Sequence, residues 1–400
     1  YYEMEKVMVA PNGRGIHPMA ERGSLTEARV ENAVRFLLEP FEKFPLVGEV
    51  DRGVLLAALL SAVVRPGLPT CPAFAFDAPT QGSGKTLLAK CVAELACGYA
   101  HDGLSPSVWP HIANENEVNK RLDTIAMAGH GAAIWDNILG TFDSPKLAAD
   151  LTAPAILVRA MFKQTQLYIP NRTLYLLTGN NLRLGGDMPR RVLTCRIDPQ
   201  EPRPDARRFD FDPYARIASD RMKYVAAALT IMQGRQEQEG SWVPSGMGSF
   251  EEWNGLVREA VCWVAQRGRD GAMADFGLDD PAKVIGDQAD QDPEVESLVD
   301  LVQGIRAWKG VGYANAFYAK QLKRIVDSVR RGEGEHNEWE EMVADAVTGW
   351  VREPSANNIG KALGYRIDRV VEIGDQKFRL RRGKKEMLGL PFWVEEVART

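Results

Sequence analysis

Cysteine and histidine are scarce in this chain, and neither is spaced as a ligand set. The 400 residues include five cysteines, an odd number without C-x-x-C spacing, and five histidines that form no ligand pair. The spacing therefore indicates neither a disulfide framework nor a zinc site. This cysteine usage fits the reducing cytoplasm, which is the compartment we predict.

Long apolar runs and an excess of basic residues are missing as well. No run of about 18 apolar residues without charge occurs, so the sequence predicts no membrane-spanning helix and no membrane partner. The net charge is −5, which means that any contact with nucleic acid would be local. The chain starts at Tyr1 and Tyr2 without a methionine or a leader, which favours a fragment of a longer product with a missing upstream domain.

An alternation of short apolar strands and helices dominates the first 234 residues. Residues 1–23 are rich in glycine and proline and predict a linker, and helices are predicted over 26–38 and 52–64, the second with Asp51 as N-cap. The alternation that follows is typical of an α/β sheet. The predicted strands are 73–76, 132–135, 155–158, 173–177 and 192–197.

A phosphate-binding loop is predicted between the strand 73–76 and a helix over 87–99. Gly82 and Gly84 let backbone N–H groups curl toward phosphate oxygens, Lys85 reaches the β- and γ-phosphates, and the Thr86 hydroxyl takes Mg²⁺. ATP and Mg²⁺ are therefore the expected ligands. The alternative is a glycine-rich turn with an incidental lysine, because the pattern G-x-x-x-x-G-K-[ST] has glycine where this chain has Pro79. The predicted nucleotide-binding residues are Pro79, Thr80, Gln81, Gly82, Ser83, Gly84, Lys85 and Thr86.

Two later strand ends supply the remaining polar groups of such a site. Asp136 ends the apolar run 131–135 and is predicted to hold Mg²⁺, although a buried strand also ends in aspartate at ordinary turns. Asn137 occupies the position where a glutamate base is common, which leaves the general base unassigned. Glu115 and Glu117 are candidates for it, and ordinary helix N-terminal charges explain them equally well. Asn180 follows the strand 173–177 and is predicted to orient water.

Three cations farther along the chain complete the catalytic and substrate hypotheses for this region. Arg190 and Arg191 precede the strand 192–197, and one of them is predicted to stabilise phosphoryl-transfer charge in a neighbouring subunit. A helix-end cation pair is the alternative. Lys163 lies in the segment 160–167, a predicted hairpin, and is a candidate DNA contact.

Beyond residue 234 the pattern changes to helices and then to a small terminal module. Helices are predicted over 250–266, 295–308, 316–329 and 339–351, and Ser355 is predicted to cap a short helix that ends at Gly364. Strands are predicted over 370–373, 377–382 and 392–397. Helix, short helix and basic hairpin form the order of a winged helix, and a solvated basic edge strand is the alternative. The candidate DNA-binding residues of this module are Lys361, Lys377, Arg379, Arg381, Arg382, Lys384 and Lys385.

Several motifs occur together in one order: Phe44-Pro45, residues 65–69, 77–86, 135–137, 178–181 and 186–191, with Trp253 and Val257-Arg258 after them. In that order they resemble the AAA+ helicase portion of phage, prophage and mobile-element replication proteins, which are related to superfamily three helicases and often fused to a primase. In such proteins Pro79 and the Asp136-Asn137 pair are familiar. The resemblance implies a ring, commonly a hexamer, with ATP between subunits and DNA in the channel, and a primase domain or partner upstream.

The patterns predict an α/β protein with helical flanking regions and a C-terminal winged-helix-like module, and the resemblance implies that its core is an AAA+ P-loop NTPase of three α/β/α layers. The predicted domains are a linker and helix (1–50), the ATPase core (51–234), a helical domain (235–334) and the DNA-binding module (335–400). The predicted activity is ATP hydrolysis that drives a DNA helicase or translocase. The rivals are an ATP-regulated replication initiator without unwinding activity and an AAA+ remodeller of proteins.

Overall fold

The fold is described from a computed structural model, which covers residues 7–9, 16–18, 25–112, 114–159, 166–200, 210–243, 246–290, 293–332, 334–351 and 353–397. The chain divides into two compact units, Tyr1–Gln288 and Ala289–Thr400. The predicted boundaries after residues 234 and 334 stay predictions, and the division between the compact units lies elsewhere. Among the described helices, none is long and apolar enough to cross a membrane.

The first unit contains strands and helices in alternation. Its strands are β1 (Val7–Val9), β2 (Ile16–Pro18), β3 (Ala73–Ala78), β4 (Val108–Pro110), β5 (Ala132–Phe142), β6 (Ala155–Arg159), β7 (Gln166–Pro170), β8 (Leu174–Leu184) and β9 (Val192–Arg196). Its helices are α1 (Glu27–Leu38), α2 (Glu49–Val64), α3 (Lys85–Cys97), α4 (Glu115–Ala128), α5 (Pro145–Leu151), α6 (Pro213–Gln236), α7 (Glu251–Trp253), α8 (Glu259–Arg269) and α9 (Lys283–Asp290), which crosses the division between the units.

A five-stranded parallel sheet forms the centre of this unit, in the order β4-β5-β8-β3-β9. All six residues of β3 are buried, as a strand covered on both faces requires. Helix α3 packs against β3, β5 and β8, and α2 packs against β9. The prediction of an α/β protein is confirmed, and its central sheet is parallel.

Three local predictions in this unit were wrong. The strand predicted over 155–158 is β6, which pairs antiparallel with β7 in a separate two-stranded sheet rather than in the central one. Asp51 is not an N-cap: α2 starts after Gly48, and the Asp51 carboxylate accepts the Gly48 N–H from three residues inside the helix, at 2.9 Å. The predicted linker over 1–23 contains β1 and β2, which pair antiparallel.

The second unit combines four helices with an antiparallel sheet. The helices are α10 (Pro293–Trp308), α11 (Ala319–Arg331), α12 (Glu338–Trp350) and α13 (Ala356–Gly364), and the strands are β10 (Phe317–Tyr318), β11 (Val370–Ile373), β12 (Gln376–Arg382) and β13 (Pro391–Val397). The sheet order is β10-β13-β12-β11. Ser355 caps α13 as predicted, since its Oγ accepts the Asn358 N–H at 3.1 Å.

Alternation along β12 separates an apolar face from a charged one. Phe378 and Leu380 are buried in the core of the second unit, while Lys377, Arg379 and Arg381 alternate with them on the other face. The same period puts Arg382 on the face of Phe378 and Leu380. The basic residues of this strand therefore lie on two different surfaces.

Candidate active site

One polar pocket of about 470 Å³ forms where the carboxyl ends of β3, β5 and β8 meet. Because these three strands are parallel neighbours, the residues that follow them converge even though they are distant in sequence. The pocket is lined by Gln81, Gly82, Ser83, Gly84, Lys85, Thr86, Leu87, Asp136, Asn137, Thr178 and Asn180. Pro79 and Thr80 are exposed and do not line it.

The loop between β3 and α3 depends on two glycines with positive φ. Gly82 has φ of 75° and Gly84 has φ of 95°, a region that residues with a Cβ rarely adopt. Gly84 is also crowded, since a Cβ there would lie 2.9 Å from Cε1 of Phe44. Helix α3 then begins at Lys85 without a side-chain cap. Its first N–H groups are thus available to an anion at the positive end of the helix dipole.

The Lys85 ammonium is held over the same loop. Its Nζ donates to the carbonyl oxygen of Thr80 at 2.7 Å, and the residue is 8% exposed. Burial lowers the pKa of Lys85, while the nearby carboxylates of Asp77 and Asp136 act in the opposite direction. A largely desolvated cation in a loop of free N–H groups is well suited to bind phosphate oxygens.

Asp136 joins β5 to α3 and to β8 through two hydrogen bonds. Its Oδ1 accepts from the hydroxyls of Thr86 and Thr178, both at 2.7 Å. The pairing of β5 with β8 is interrupted between Trp135 and Ile138, and Asn137 has φ of 58°. A bulge of this kind re-aims a side chain at the end of a strand. Here it places the carboxylate beside the first turn of α3.

Asn180 lies beside Ala78, the last residue of β3, in the register of β3 with β8. Its Oδ1 is buried, and it has no hydrogen-bond partner among the described residues. A buried amide oxygen without a partner is costly unless water or a ligand satisfies it. This side chain lines the pocket and can hydrogen-bond to a group held there.

Two residues that position the pocket were missed by the sequence analysis. Thr178 donates to Asp136 and also accepts the Asn137 N–H at 3.1 Å, so it fixes the bulge from the neighbouring strand. Asp77 accepts the Leu182 N–H at 2.9 Å and thereby links the end of β3 to the chain after Asn180. Burial raises the pKa of Asp77. The only local signal was that each is a polar residue at the end of an apolar run.

Arg190 and Arg191 lie far from this pocket in their own chain. They precede β9, whose first residue pairs with Ala73 at the start of β3, while the loop follows the end of β3. Six residues of β-strand separate those two edges by about 20 Å. Neither guanidinium therefore lines the pocket of its own chain.

The two arginines differ in how they are held. Arg190 is exposed, with 63% of its side chain accessible, and pairs with Asp187 at 2.6 Å. Arg191 is only 14% accessible, pairs with the same carboxylate at 2.5 Å, and donates to the carbonyl of Ala148. Its Nη1 also lies 3.3 Å from Thr152 Oγ1. Arg191 therefore anchors α5, and Arg190 is the cation that is more accessible to a second molecule.

The two candidate general bases lie on the first turn of α4. Glu115 is exposed and Glu117 is partly exposed, and neither lines the pocket. Glu117 pairs with Lys120 at 2.6 Å, and this contact lowers its pKa. These contacts fit the helix N-terminal role that the sequence analysis left open for both carboxylates.

The predicted DNA-binding residues of the second unit separate into paired and unpaired cations. Lys377 pairs with Glu372 at 3.0 Å, Arg379 with Glu395 at 2.6 Å, and Arg381 with Asp368 at 2.6 Å. Within the described part of the chain, no ion-pair partner lies near the remaining four, which are Lys361, Arg382, Lys384 and Lys385. Of the predicted hairpin over 160–167, residues 160–165 lie outside the described residues, Lys163 among them, and residues 166 and 167 belong to β7.

Comparison with known proteins gives weak structural similarity and no family. No protein-family model matches the chain, and no curated protein matches it. A solved structure of the NrS-1 C-terminal region is similar at 11% identity and a TM-score of 0.40, over 99% of this chain and 83% of that one. The X-ray structure of JCV helicase is similar at 12% identity and a TM-score of 0.26, over 62% and 69%. These similarities are too low to assign a family or an activity.

Proposed function

We propose that this chain is an ATP-dependent DNA helicase or translocase from the replication system of a phage or mobile element. The observation that carries the proposal is the convergence of the loop 81–86, Asp136 and Asn180 in one pocket at the ends of three parallel strands. Phosphate recognition, a metal carboxylate and a water-orienting amide are the parts that phosphoryl transfer from ATP requires. The order of motifs in the sequence supports the same assignment.

Each residue has a specific role in this proposal. The backbone N–H groups of the loop and the Lys85 ammonium bind the β- and γ-phosphates, and Asn180 positions the attacking water. Thr86 and Asp136 would hold Mg²⁺, since their oxygens lie 2.7 Å apart and are the hard donors that this ion prefers. When bound, Mg²⁺ neutralises charge on the phosphates. Thr178 keeps the Asp136 carboxylate in place throughout.

Subunit association completes the proposed site. Arg190 precedes β9, at the edge of the sheet opposite the pocket of its own chain, and it is exposed. In a ring, commonly a hexamer, it would reach the pocket of the next subunit and stabilise charge that develops on the transferred phosphoryl group. ATP hydrolysis would then depend on contact between subunits.

The proposed winged-helix-like DNA-binding module, residues 335–400, is part of the second unit. Its order of helix α12, capped short helix α13 and basic β12–β13 hairpin is that of a winged helix. Electrostatic attraction to phosphates would supply most of the affinity, because Lys361, Arg382, Lys384 and Lys385 form no ion pair within the described part of a chain whose net charge is −5.

Strand displacement on a forked duplex tests this function. With ATP and Mg²⁺, wild-type protein should separate a fork with one tail, 3′ or 5′, and the Lys85→Ala variant should bind the fork without separating it. Binding without displacement by both proteins would contradict the proposal and indicate an initiator that assembles on DNA. Displacement by the Lys85→Ala variant at the wild-type rate would also contradict it.

A further inference from the structure

A cleft of about 690 Å³ opens in the second unit between the start of α11, helix α13 and the turn that joins β12 to β13. Lys320 and Lys361 line its helical side, and Arg382 and Lys385 line the side of the turn. Cations on both walls of a narrow cleft create a strong local positive potential in a chain that is acidic overall. The cleft is distinct from the outer face of β12.

These four cations are not neutralised within the described part of the protein, where no carboxylate forms an ion pair with any of them. The carboxylate of Glu386, on the same turn, accepts hydrogen bonds from Tyr313 at 2.6 Å and from Tyr318 at 2.8 Å. By contrast, the cations of the outer face are paired across the sheet. The cleft therefore has uncompensated positive charge available for an anionic partner.

Large apolar side chains are exposed beside the cations. Tyr365, which lines the cleft at the end of α13, is 86% exposed, and Leu388 in the turn is 68% exposed. Exposed aromatic and aliphatic side chains next to a basic groove are the combination that binds single strands, where bases stack while phosphates follow the cations. An acidic peptide would use the charge but gives no reason for the exposed ring.

We propose that this cleft holds an unpaired nucleic-acid strand, with its phosphates on Lys320, Lys361, Arg382 and Lys385 and a base against Tyr365. The size of the cleft suits one or two nucleotides. In a duplex the bases are stacked on each other and are not available to Tyr365. This inference rests on the proposed function only in taking DNA as the substrate. It specifies that the second unit binds single-stranded nucleic acid.

Anisotropy of a labelled oligothymidylate, titrated with the full chain at several salt concentrations, tests the phosphate contacts. The Lys361→Gln, Arg382→Gln double variant should bind at least tenfold more weakly at low salt, and the slope of log K against log salt should fall by about 0.7 for each cation removed. The matched control is Lys377→Gln, Arg379→Gln, which removes the same charge from the paired outer face and should leave the slope within about 0.3 of the wild-type value. Equal losses in the two variants would overturn the inference.

Tyr365 provides the test of base contact. Tyr365→Ala should weaken oligothymidylate binding about tenfold, whereas Tyr365→Phe, which keeps the ring, should bind as wild type does. A blunt duplex should bind Tyr365→Ala and wild type equally. A loss of duplex affinity as large as the loss for the single strand, or no loss for either, would contradict the proposal. Binding of a polyglutamate peptide in preference to oligothymidylate would assign the cleft to a protein partner instead.

Failure of this inference is distinguishable from failure of the proposed function. ATP hydrolysis is measured separately in the wild-type chain and in Lys85→Ala, both with the cleft intact. If hydrolysis depends on Lys85 while the cleft variants bind the single strand normally, only the cleft assignment fails. If hydrolysis does not depend on Lys85 while the cleft variants lose the single strand, the ATP site fails and the cleft assignment remains.

Discussion

The two units arrange their charged side chains differently. In the first, Lys85, Asp136 and Asn180 come from three separate segments and converge in one pocket, because parallel strands present their carboxyl ends at one edge. In the second, cations adjacent in sequence are distributed along β12, and antiparallel neighbours supply carboxylates that pair with them.

This difference shows that a run of basic residues does not itself define a binding surface. Arg379 and Glu395 lie directly opposite each other in the register of β12 and β13, so the sheet neutralises that position. Arg382 is on the other face of the same strand, where Lys361 and Lys385 line the cleft with it. If this difference determines function, substitutions at the pocket should impair activity, and substitutions of the paired cations should not.

The largest effect should come from Asp136, the carboxylate proposed to hold Mg²⁺. Asp136→Asn should lower the rate of ATP hydrolysis at least a hundredfold. The neutral amide oxygen cannot accept hydrogen bonds from Thr86 and Thr178 and also give Mg²⁺ the negative charge of a carboxylate. Steady-state hydrolysis across a Mg²⁺ titration measures the loss. Glu115→Gln, an exposed carboxylate outside the pocket, is the control. A rate within twofold of wild type for Asp136→Asn would remove this residue from the site.

Substitutions of Arg190 and Arg191 should affect different properties, namely ATP hydrolysis for Arg190 and stability for Arg191. Arg190→Ala should lower hydrolysis by about a hundredfold or more with little change in unfolding free energy, since its side chain is exposed. Arg191→Ala should lower the unfolding free energy by about 1–3 kcal/mol, because it loses the contacts with Ala148 and Thr152. Hydrolysis assays and urea unfolding measure the two effects.

Mixing variants tests whether Arg190 acts between subunits. Arg190→Ala and Lys85→Ala are each inactive in the proposal, yet a mixture contains interfaces with an intact loop from one subunit and an intact Arg190 from the next. Mixed protein should therefore recover part of the wild-type hydrolysis. A mixture as inactive as its two components would place Arg190 in some other role.

Crowding at the loop should have an intermediate effect. Gly84→Ala adds a Cβ 2.9 Å from the Phe44 ring at φ of 95°, so it should lower the unfolding free energy by about 2 kcal/mol and weaken ATP binding at least tenfold. Gly103→Ala is the matched control: its φ is 69°, but nothing lies within 4 Å of the added atom. It should cost about 1 kcal/mol and leave ATP binding unchanged. Equal nucleotide affinity in both variants would contradict the role of Gly84.

The smallest effect should come from the paired outer face of β12. Arg379→Gln breaks the ion pair with Glu395. Both side chains of this pair are about one-third accessible, so the loss of unfolding free energy should stay below about 1 kcal/mol. Affinity for single-stranded DNA should change less than twofold. A loss of tenfold or more would show that the strand crosses this face and would reverse the contrast between the two surfaces of β12.

The sequence was sufficient to predict structural features that are contiguous in the chain or that repeat with a clear period. The strand, glycine loop and helix around Lys85 are contiguous, and Asp136 and Asn180 each follow an apolar strand, so convergence at one edge follows from parallel pairing. Ser355 was identifiable as a cap because its hydroxyl acts on the helix immediately after it.

The rest depended on contacts between distant segments. The roles of Thr178 and Asp77 are hydrogen bonds to residues 41 and 105 positions away, which no local pattern contains. The strand 155–158 has the composition of a buried strand, yet it pairs with β7 in a separate two-stranded sheet. The alternation in β12 was visible in the sequence, but which face carries partners depends on the register with β13.

The central claim is that the pocket around Lys85 hydrolyses ATP in response to DNA. Hydrolysis measured with and without single-stranded DNA, in wild type, Lys85→Ala and Lys90→Ala, tests it most directly, because Lys90 lies on the same helix but does not line the pocket. DNA should stimulate hydrolysis by wild type and by Lys90→Ala, whereas Lys85→Ala should lose at least a hundredfold in rate. DNA-stimulated hydrolysis that persists in Lys85→Ala at the level of Lys90→Ala would contradict it.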